Sequence, residues 1–354
     1  MRVVVLLLAF TLSFAIICNC VSSQDATLVP ALITFGDSVV DVGNNDYIHT
    51  IFKANYPPYG RDFKNQEATG RFCNGKLATD ITAETLGFTS YPPAYLSPQA
   101  SGKNLLVGAN FASAGAGYDD HTSLLSHVIP LSQQLQHYKE YQTKLTKVAG
   151  QSKSASIIKD ALYIVSAGSS DFIQNYYINP FLNKAYTPDQ YSSYLVGIFT
   201  SFIKDLYGLG ARRIGVTSLP PLGCLPAART IFGFHESGCV SRINTDAQGF
   251  NKRLNAATSQ LQKQLPSLKI VVFDVFKPLY DIVADPKKNG FTEATKGCCG
   301  TGTIETTSLL CNPKSIGTCP NATQYVFWDS VHPSEAANQI LADSLILQGI
   351  GLIS

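Results

Sequence analysis

The sequence predicts an α/β protein built on a doubly wound parallel sheet. Short, β-branched and almost entirely apolar runs recur along the chain, and each is followed by a break rich in Gly, Ser, Asn or Pro. Buried parallel strands have this composition. Stretches with helical periodicity separate the runs, as crossover connections require. The 354 residues suffice for one large domain of this class or two ordinary ones.

Five runs are predicted to be strands: ALITF (31–35), NLLVGANF (104–111), ALYIVSAG (161–168), RRIGVTSL (212–219) and KIVVFDV (269–275). A helix predicted over 129–150 has one face formed by Leu131, Leu135, Tyr138, Gln142 and Leu145. A second, over 187–210, begins at Pro188 and ends at glycines, which are typical boundary residues. No internal repeat or linker interrupts this alternation.

Composition and charge exclude several classes of function. The net charge is +2 and Lys and Arg are not clustered, so no nucleic-acid surface is predicted. The run GRFCNGKL (70–77) approaches the phosphate-loop pattern. It ends in Leu77, where Mg²⁺ needs a hydroxyl, and no buried strand precedes it. We therefore expect neither nucleic acid nor a cofactor as a partner.

The N-terminus predicts a secretory signal peptide over residues 1–23. Arg2 is followed by the apolar core VVVLLLAFTLSFAIIC and then by the small and polar residues NCVSSQD. An uncleaved membrane anchor is the alternative, but the apolar run is short for a span, and no later run reaches the roughly 18 apolar residues that spanning needs. We expect a secreted, extracellular protein with one mature domain over 24–354.

Cysteine usage agrees with an oxidising compartment. Seven cysteines follow the predicted signal peptide, and an odd number leaves at least one thiol unpaired. The C-x2-C pairs of a zinc site are missing, so disulfides are favoured and no metal is expected. We expect Cys298 and Cys299 to form disulfides with Cys311 and Cys319, without an assignment of which pairs with which. Cys224 is expected to pair with Cys239, which leaves Cys73 as the free thiol.

Ser38 is a candidate nucleophile because of where it stands. Gly36-Asp37-Ser38 directly follows the first predicted strand, and ligands of open α/β sheets bind at the carboxyl ends of the strands. Similar small-residue segments close the next three strands: NFASAGAG (110–117), SAGSSDF (166–172) and LPPLGCLP (219–226). Locally, Ser38 also fits an ordinary turn residue. A nucleophile needs a base from elsewhere in the chain.

His332 is the candidate base. It follows Asp329 by three residues in FWDSVHPSE, at the point where a helix is predicted to begin. A carboxylate at this spacing can accept a hydrogen bond from the imidazole Nδ1 and orient the ring. The alternative is a capping aspartate beside a surface histidine. The chain order Ser, Asp, His occurs in catalytic triads.

These segments resemble the plant-type secreted GDSL lipases/esterases of the SGNH hydrolase superfamily, over essentially the whole mature chain. The resemblance rests on motifs in the family's order: FGDSVVDVGNN, YGRDF, TGRFCNGKLATD, NFASAGAG, YIVSAGSSDF, LPPLGCLP and FWDSVHPSEAAN. It implies a three-layer α/β/α fold on a five-stranded parallel, flavodoxin-like sheet. It also implies hydrolysis of carboxylic esters, of lipids or of small molecules. The G-x-S-x-G elbow of α/β-hydrolases is missing here, as in that family.

The resemblance also implies roles for individual residues. Ser38 would be the nucleophile, His332 the general base and Asp329 its orienting partner. The backbone N–H groups of Ser38 and Gly115 would hold the oxyanion. The third donor would be Ser170, where the superfamily usually has asparagine, so the sequence departs from the pattern at this position.

Two other functions are compatible with the same residues. An acyltransferase would use the same triad with a hydroxyl acceptor in place of water. A lipid-binding or wall protein with weak catalysis would fit the serine at position 170. The aromatic residues of 172–207 either line an acyl pocket or pack a helix against the sheet. Asn321, in CPNATQ, is the one N-x-[ST] sequon of the chain and is predicted to carry a glycan.

Overall fold

A computed structural model describes residues 27–233, 238–302 and 304–354. The predicted signal peptide, 1–23, lies outside the described residues. Within these ranges the strands are β1 Leu32–Gly36, β2 Gly108–Asn110, β3 Leu162–Ser166, β4 Arg213–Thr217, β5 Lys269–Phe273, β6 Glu293–Gly297 and β7 Tyr325–Phe327. The α-helices are α1 Ala78–Thr85, α2 Asp120–Leu125, α3 Leu131–Ala149, α4 Gln151–Asp160, α5 Leu182–Ala185, α6 Pro188–Gly208, α7 Pro226–Phe232, α8 Ser241–Gln264, α9 Phe276–Ala284, α10 Glu335–Gln348 and α11 Ile350–Ile353.

The main sheet has the strand order β2-β1-β3-β4-β5, with every pair parallel. This is the flavodoxin-like order of a doubly wound sheet. β1 and β3 pair from Leu32 opposite Leu162 to Gly36 opposite Ser166. The chain winds in opposite directions from these two central strands, so the crevice above their carboxyl ends is the expected ligand site.

Helices cover both faces of the main sheet, which gives the three layers that the sequence predicts. Ile33 and Phe35 of β1 face the large apolar core that includes side chains of α3, α6 and α8. Leu32 of the same strand faces a smaller core with Leu86, which follows α1, and Leu352 of α11. Successive side chains of a strand point to opposite faces, so one apolar strand supplies both cores. The predicted α/β/α architecture is confirmed.

The predicted helices are confirmed with small shifts of their ends. The helix predicted over 129–150 is α3, and the one predicted over 187–210 is α6, which Thr187 caps by accepting from the backbone of Gln190. The second predicted strand is shorter than expected, because Gly102–Val107 form a 3₁₀-helix and only the last part of the run joins the sheet. Within the described ranges, none of the helices combines the length and the apolar composition that a membrane span requires.

A small parallel pair, β6 with β7, lies beside the main sheet and was not predicted. Just beyond β6, the backbone of Cys298 donates to Phe327 and that of Cys299 donates to Trp328. The disulfides are Cys298–Cys319, Cys299–Cys311 and Cys224–Cys239, and Cys73 is free and buried, which confirms the expected pairing and resolves its order. Two of these disulfides therefore anchor the segment that leads into the predicted Asp–His pair.

Candidate active site

The three residues predicted to form a triad meet at the carboxyl edge of the main sheet. His332 Nε2 lies 2.6 Å from Ser38 Oγ, although 294 positions separate the residues. On the other side of the ring, His332 Nδ1 lies 2.8 Å from Asp329 Oδ2. Ser38 is partly exposed, whereas His332 and Asp329 are buried. A partly exposed hydroxyl, a buried imidazole and a buried carboxylate in a hydrogen-bonded row can activate a serine.

Asp329 is held as a carboxylate without contact with solvent. Its Oδ1 accepts from the backbone N–H groups of Val331 and His332, both at 2.8 Å. Its Oδ2 accepts from the hydroxyl of Tyr59, also at 2.8 Å. Burial alone would raise the pKa of Asp329, but the charge of His332 and the hydrogen bonds from His332 and from the backbone of Val331 lower it below its ordinary value. The carboxylate therefore stays ionised and oriented.

The turn that presents Ser38 depends on Gly36. Its φ is +138°, and a Cβ there would lie 1.8 Å from the carbonyl oxygen of Ser166 on β3. Only glycine fits so close an approach of two backbones. Gln134 of α3 fixes the same residue, because its side chain accepts from Gly36 N and donates to Gly36 O, both at 2.9 Å. These contacts fix the direction in which the chain leaves β1, and with it the position of Ser38 two residues later.

The Ser38 loop and the Gly115 loop are tied together by buried polar side chains. Asp41 accepts from the backbone N–H groups of Asn44 and Ala114. Asn45 Nδ2 donates to the carbonyl oxygen of Ala114 at 2.9 Å. Gly115 follows directly, with a φ of +88° that favours glycine. The sequence DVGNN therefore positions the loop of Gly115 relative to Ser38.

Two backbone donors of this site have no acceptor within the described ranges. Ser38 N–H and Gly115 N–H donate no hydrogen bond to any residue of the described ranges. Both residues line the same cavity. Free backbone N–H groups beside a reactive hydroxyl can stabilise an oxyanion.

Ser170 lines the cavity too, but in a helical turn rather than in a loop. It has φ −64° and ψ −36° and caps the π-helical segment Asp171–Tyr176. Asp171 beside it is buried and accepts from Tyr118 N, Asp119 N and Thr122 Oγ1. Burial raises the pKa of Asp171 to about 7 despite these bonds. Ser170 thus lies on the cavity wall, next to a carboxylate that three hydrogen bonds hold in place.

The cavity has a volume of about 520 Å³ and includes Ser38 and His332 in its wall. This is within the usual range of small-molecule sites, which is roughly 300–1,000 Å³. Its outer rim carries the exposed apolar side chains Ile51, Leu125 and Ile178. The tyrosines and phenylalanines of 172–207 do not line it. Three aromatic residues of α6, Tyr191, Phe199 and Phe202, are buried in the core, as the packing alternative predicts, whereas Tyr194 of the same helix is exposed.

Sequence reasoning gave no role to two residues that touch the triad. Tyr59 donates to Asp329, and the ring of Phe72 packs against His332 with 5.0 Å between ring centres. Both lie in motifs that carry the family resemblance, YGRDF and TGRFCNGKLATD. Their position in these family motifs was the one sequence feature that could have indicated a role at the site. Nothing local indicates that Tyr59 contacts a residue 270 positions away.

A parallel α/β sheet with Ser, His and Asp in contact at its carboxyl edge has the arrangement of residues that serine hydrolases use. The family model described as GDSL-like lipase/acylhydrolase matches residues 32–345. The chain belongs to this family, and the predicted resemblance is confirmed. It is a carboxylic ester hydrolase.

Curated relatives from Arabidopsis thaliana align over nearly the full length. The GDSL esterase/lipase APG is 73% identical over 93% of this chain and 93% of its own. Another GDSL esterase/lipase of that plant is 61% identical over 92% of this chain and 91% of its own, and a third is 59% identical over 92% and 93%. Among solved structures, an α/β hydrolase enzyme from the metagenome of Lake Arreo, Spain, matches 93% of this chain and 100% of that chain with a TM-score of 0.42 and 11% identity, which is too remote to bear on this site.

Asn321, the predicted glycan acceptor, lies away from the cavity wall. Its side chain is exposed, and its Oδ1 accepts from the backbone N–H and the hydroxyl of Thr323 at 3.0 and 2.7 Å. The residue caps the short 3₁₀-helix Ala322–Gln324. The sequon is therefore accessible from solvent.

Proposed function

We propose that the protein is a secreted serine esterase/lipase that cleaves carboxylic esters through an acyl-enzyme on Ser38. The observation that carries this proposal is the contact of 2.6 Å between Ser38 Oγ and His332 Nε2, with Asp329 on the opposite side of the ring. The Nδ1 proton is assigned to the bond with Asp329. Nε2 is then unprotonated and accepts the hydrogen bond of the Ser38 hydroxyl.

In the first half-reaction, Ser38 Oγ attacks the carbonyl carbon of the ester while its proton moves to His332 Nε2. The C=O bond opens to a tetrahedral oxyanion, and Asp329 stabilises the imidazolium that has formed. Collapse of this intermediate breaks the bond to the alcohol oxygen. His332 returns the proton to that oxygen, so the alcohol leaves and the acyl group remains on Ser38.

The second half-reaction repeats these steps with water. His332 takes a proton from water, the hydroxide oxygen attacks the acyl carbon, and a second tetrahedral intermediate forms. Its collapse breaks the bond to Ser38 Oγ, which recovers the proton from His332. The products are one alcohol and one carboxylic acid, and the enzyme is regenerated.

The N–H groups of Ser38 and Gly115 form the oxyanion hole in this proposal, and the hydroxyl of Ser170 is its third donor. The two backbone donors are free of internal acceptors, which supports their role. Ser170 shares the cavity wall with them. One such donor changes the rate by about 10²–10³ in other hydrolases.

Secretion is part of the same proposal. Residues 1–23 would direct export and be removed, and 24–354 would form one extracellular domain with a glycan on Asn321. Three disulfides support an oxidising destination. The exposed position of Asn321 supports its use as an acceptor.

Hydrolysis of a short-chain ester by the secreted protein tests the proposed activity. Wild type and Ser330→Ala should turn over the ester, and Ser38→Ala should retain only a residual rate. Ser330 is the matched control, because it is a buried serine next to Asp329 whose hydroxyl has no partner in the described ranges. Wild-type turnover in folded Ser38→Ala would refute the proposal. An added alcohol separates the two uses of the acyl-enzyme, since only transfer yields a new ester.

A further inference from the structure

The cavity at Ser38 continues inward along the sheet. Its outer cleft opens over the carboxyl ends of the strands. Its inner channel runs between the sheet and the helices α1 and α10, and six residues define it: Leu32, Leu162 and Ile164 of the sheet, Thr82 of α1, and Leu341 and Leu345 of α10. Ser38, His332 and these six residues line one continuous cavity.

The two faces of the same strands differ in packing. Ile33, Tyr163 and Val165, which point away from α1 and α10, have no accessible surface. On the channel side, Leu32, Leu162 and Ile164 keep 2%, 4% and 5% of theirs. Protein interiors are normally filled to the density of organic crystals. Residual access at alternate positions of two neighbouring strands therefore marks space left on one face only.

The channel is long and becomes apolar away from Ser38. Leu162 and Ile164 of the channel and Ser166 at its entrance span the length of β3, which is roughly 13 Å at the usual rise of a strand. At the end next to Ser38, the hydroxyl of Thr217 donates to Ser166 at 2.9 Å. Deeper in, the hydroxyl of Thr82 donates to the carbonyl oxygen of Ala78 in its own helix. The leucine and isoleucine walls offer no hydrogen bond.

We propose that the inner channel binds the unbranched acyl chain of the ester whose carbonyl lies at Ser38. The inference rests on the proposed function and names its substrate class: esters of medium- and long-chain acids. The alcohol part of the ester stays in the outer cleft. Each methylene that enters such a channel should raise kcat/KM by roughly fourfold until the channel is filled.

A series of p-nitrophenyl esters from acetate to dodecanoate, kept below their micelle concentrations, measures this gradient. Thr82→Phe places a ring in the channel and should lower the ratio of kcat/KM for decanoate over acetate at least tenfold. Thr85→Phe is the matched control, because Thr85 lies on the same helix, is exposed, and makes the same bond to its helix through Ile81. It should keep the wild-type ratio. If Thr82→Phe does not fold, Ala78→Phe replaces it in the test, because Ala78 lies one helical turn before Thr82 on α1 and lines the same cavity.

A binding measurement separates this inference from the proposed activity. Ser38→Ala should bind cis-parinaric acid, a fluorescent fatty acid, and the double variant Ser38→Ala/Thr82→Phe should bind it at least tenfold more weakly. If the wild type hydrolyses no ester but this difference appears, the proposed function fails and the channel stands. If esters are hydrolysed but folded Thr82→Phe keeps both the wild-type chain-length ratio and the wild-type affinity for the fatty acid, the channel inference is overturned.

Discussion

The hydroxyl of Tyr59 donates a hydrogen bond of 2.8 Å to Asp329 Oδ2, and both side chains are buried. Burial and the charge of Asp329 raise the pKa of Tyr59 well above its ordinary value, so the phenol remains a donor. Asp329 Oδ2 also lies 2.8 Å from His332 Nδ1. Tyr59 therefore acts on the proposed base indirectly, as a positioning residue.

Tyr59→Phe should lower kcat several-fold and leave KM close to wild type. The ring is kept, but a buried carboxylate loses one donor, and a hydrogen bond to a charged group is worth about 1.5–3 kcal/mol. The pKa of Asp329 should rise, because its charged form loses a hydrogen-bond donor. Once protonated, Asp329 no longer orients His332, so the acid limb of the kcat profile should move to higher pH. Tyr56→Phe is the comparison, because Tyr56 packs edge-on against Tyr59 without bonding the carboxylate. Equal effects of both variants on the pH profile would contradict this role.

The free energy of unfolding of Asp37→Asn, compared with that of the wild type, should increase as pH rises. Burial raises the pKa of Asp37 from 3.8 to about 7. The folded state therefore binds a proton that the unfolded state loses near pH 4, and wild-type stability falls between about pH 4 and pH 7. Asparagine stays neutral across this window. The difference should approach the order of 4 kcal/mol above pH 7, at about 1.4 kcal/mol per pH unit.

Thermal unfolding at pH 4.5 and pH 8 measures the effect of Asp37→Asn. Asp41 and Asp171, whose pKa values burial raises to about 6 and about 7, titrate in both proteins, so their contributions cancel in the difference apart from the charge interaction of Asp41 with Asp37. If the difference in Tm between the two proteins is the same at both pH values, the pKa of Asp37 in the folded protein is not raised.

Ser170→Ala should lower kcat on a short-chain ester by about tenfold or more, with little change in KM. The oxyanion forms only near the transition state, so its donors act on kcat. Ser170→Asn should raise kcat, because the amide reaches farther and offers two donors. Ser169→Ala is the comparison, since Ser169 lies on the same cavity wall. If Ser169→Ala alone lowers kcat, the third donor is Ser169.

Asn321→Gln should abolish the shift in apparent mass that an endoglycosidase causes in the secreted protein. The sequon is exposed, and its threonine already bonds the asparagine side chain. Thr323→Ala should have the same result while keeping the asparagine. A shift that survives both substitutions would place the glycan elsewhere.

Local patterns predicted the parts of the fold that depend on local physics. β-Branched runs gave the strands of the main sheet, and apolar periodicity gave α3 and α6. The Asp329–His332 contact spans three residues and was open to prediction from spacing. Ser38 follows a predicted parallel strand at the edge where ligands bind, and the chain order Ser, Asp, His linked it to this pair.

The remaining features depend on contacts between distant segments. β6, with the sequence EATKG, is polar and partly exposed, and it is a strand only because β7 pairs with it. Leu105 is apolar and buried in the core, but it lies in a 3₁₀-helix. The apolar run 104–111 therefore predicted a strand longer than β2. The inner channel is formed by residues from the sheet, α1 and α10 whose spacing in the chain does not distinguish lining a cavity from ordinary packing.

The central claim is that Ser38 forms a covalent acyl-enzyme, and mass spectrometry of the secreted protein after a fluorophosphonate tests it most directly. The reagent should add one adduct per chain, on the peptide that contains Ser38. His332→Ala should lose this labelling, because the hydroxyl then has no base. An adduct on a different serine, or no adduct in a preparation that hydrolyses esters, would contradict the account.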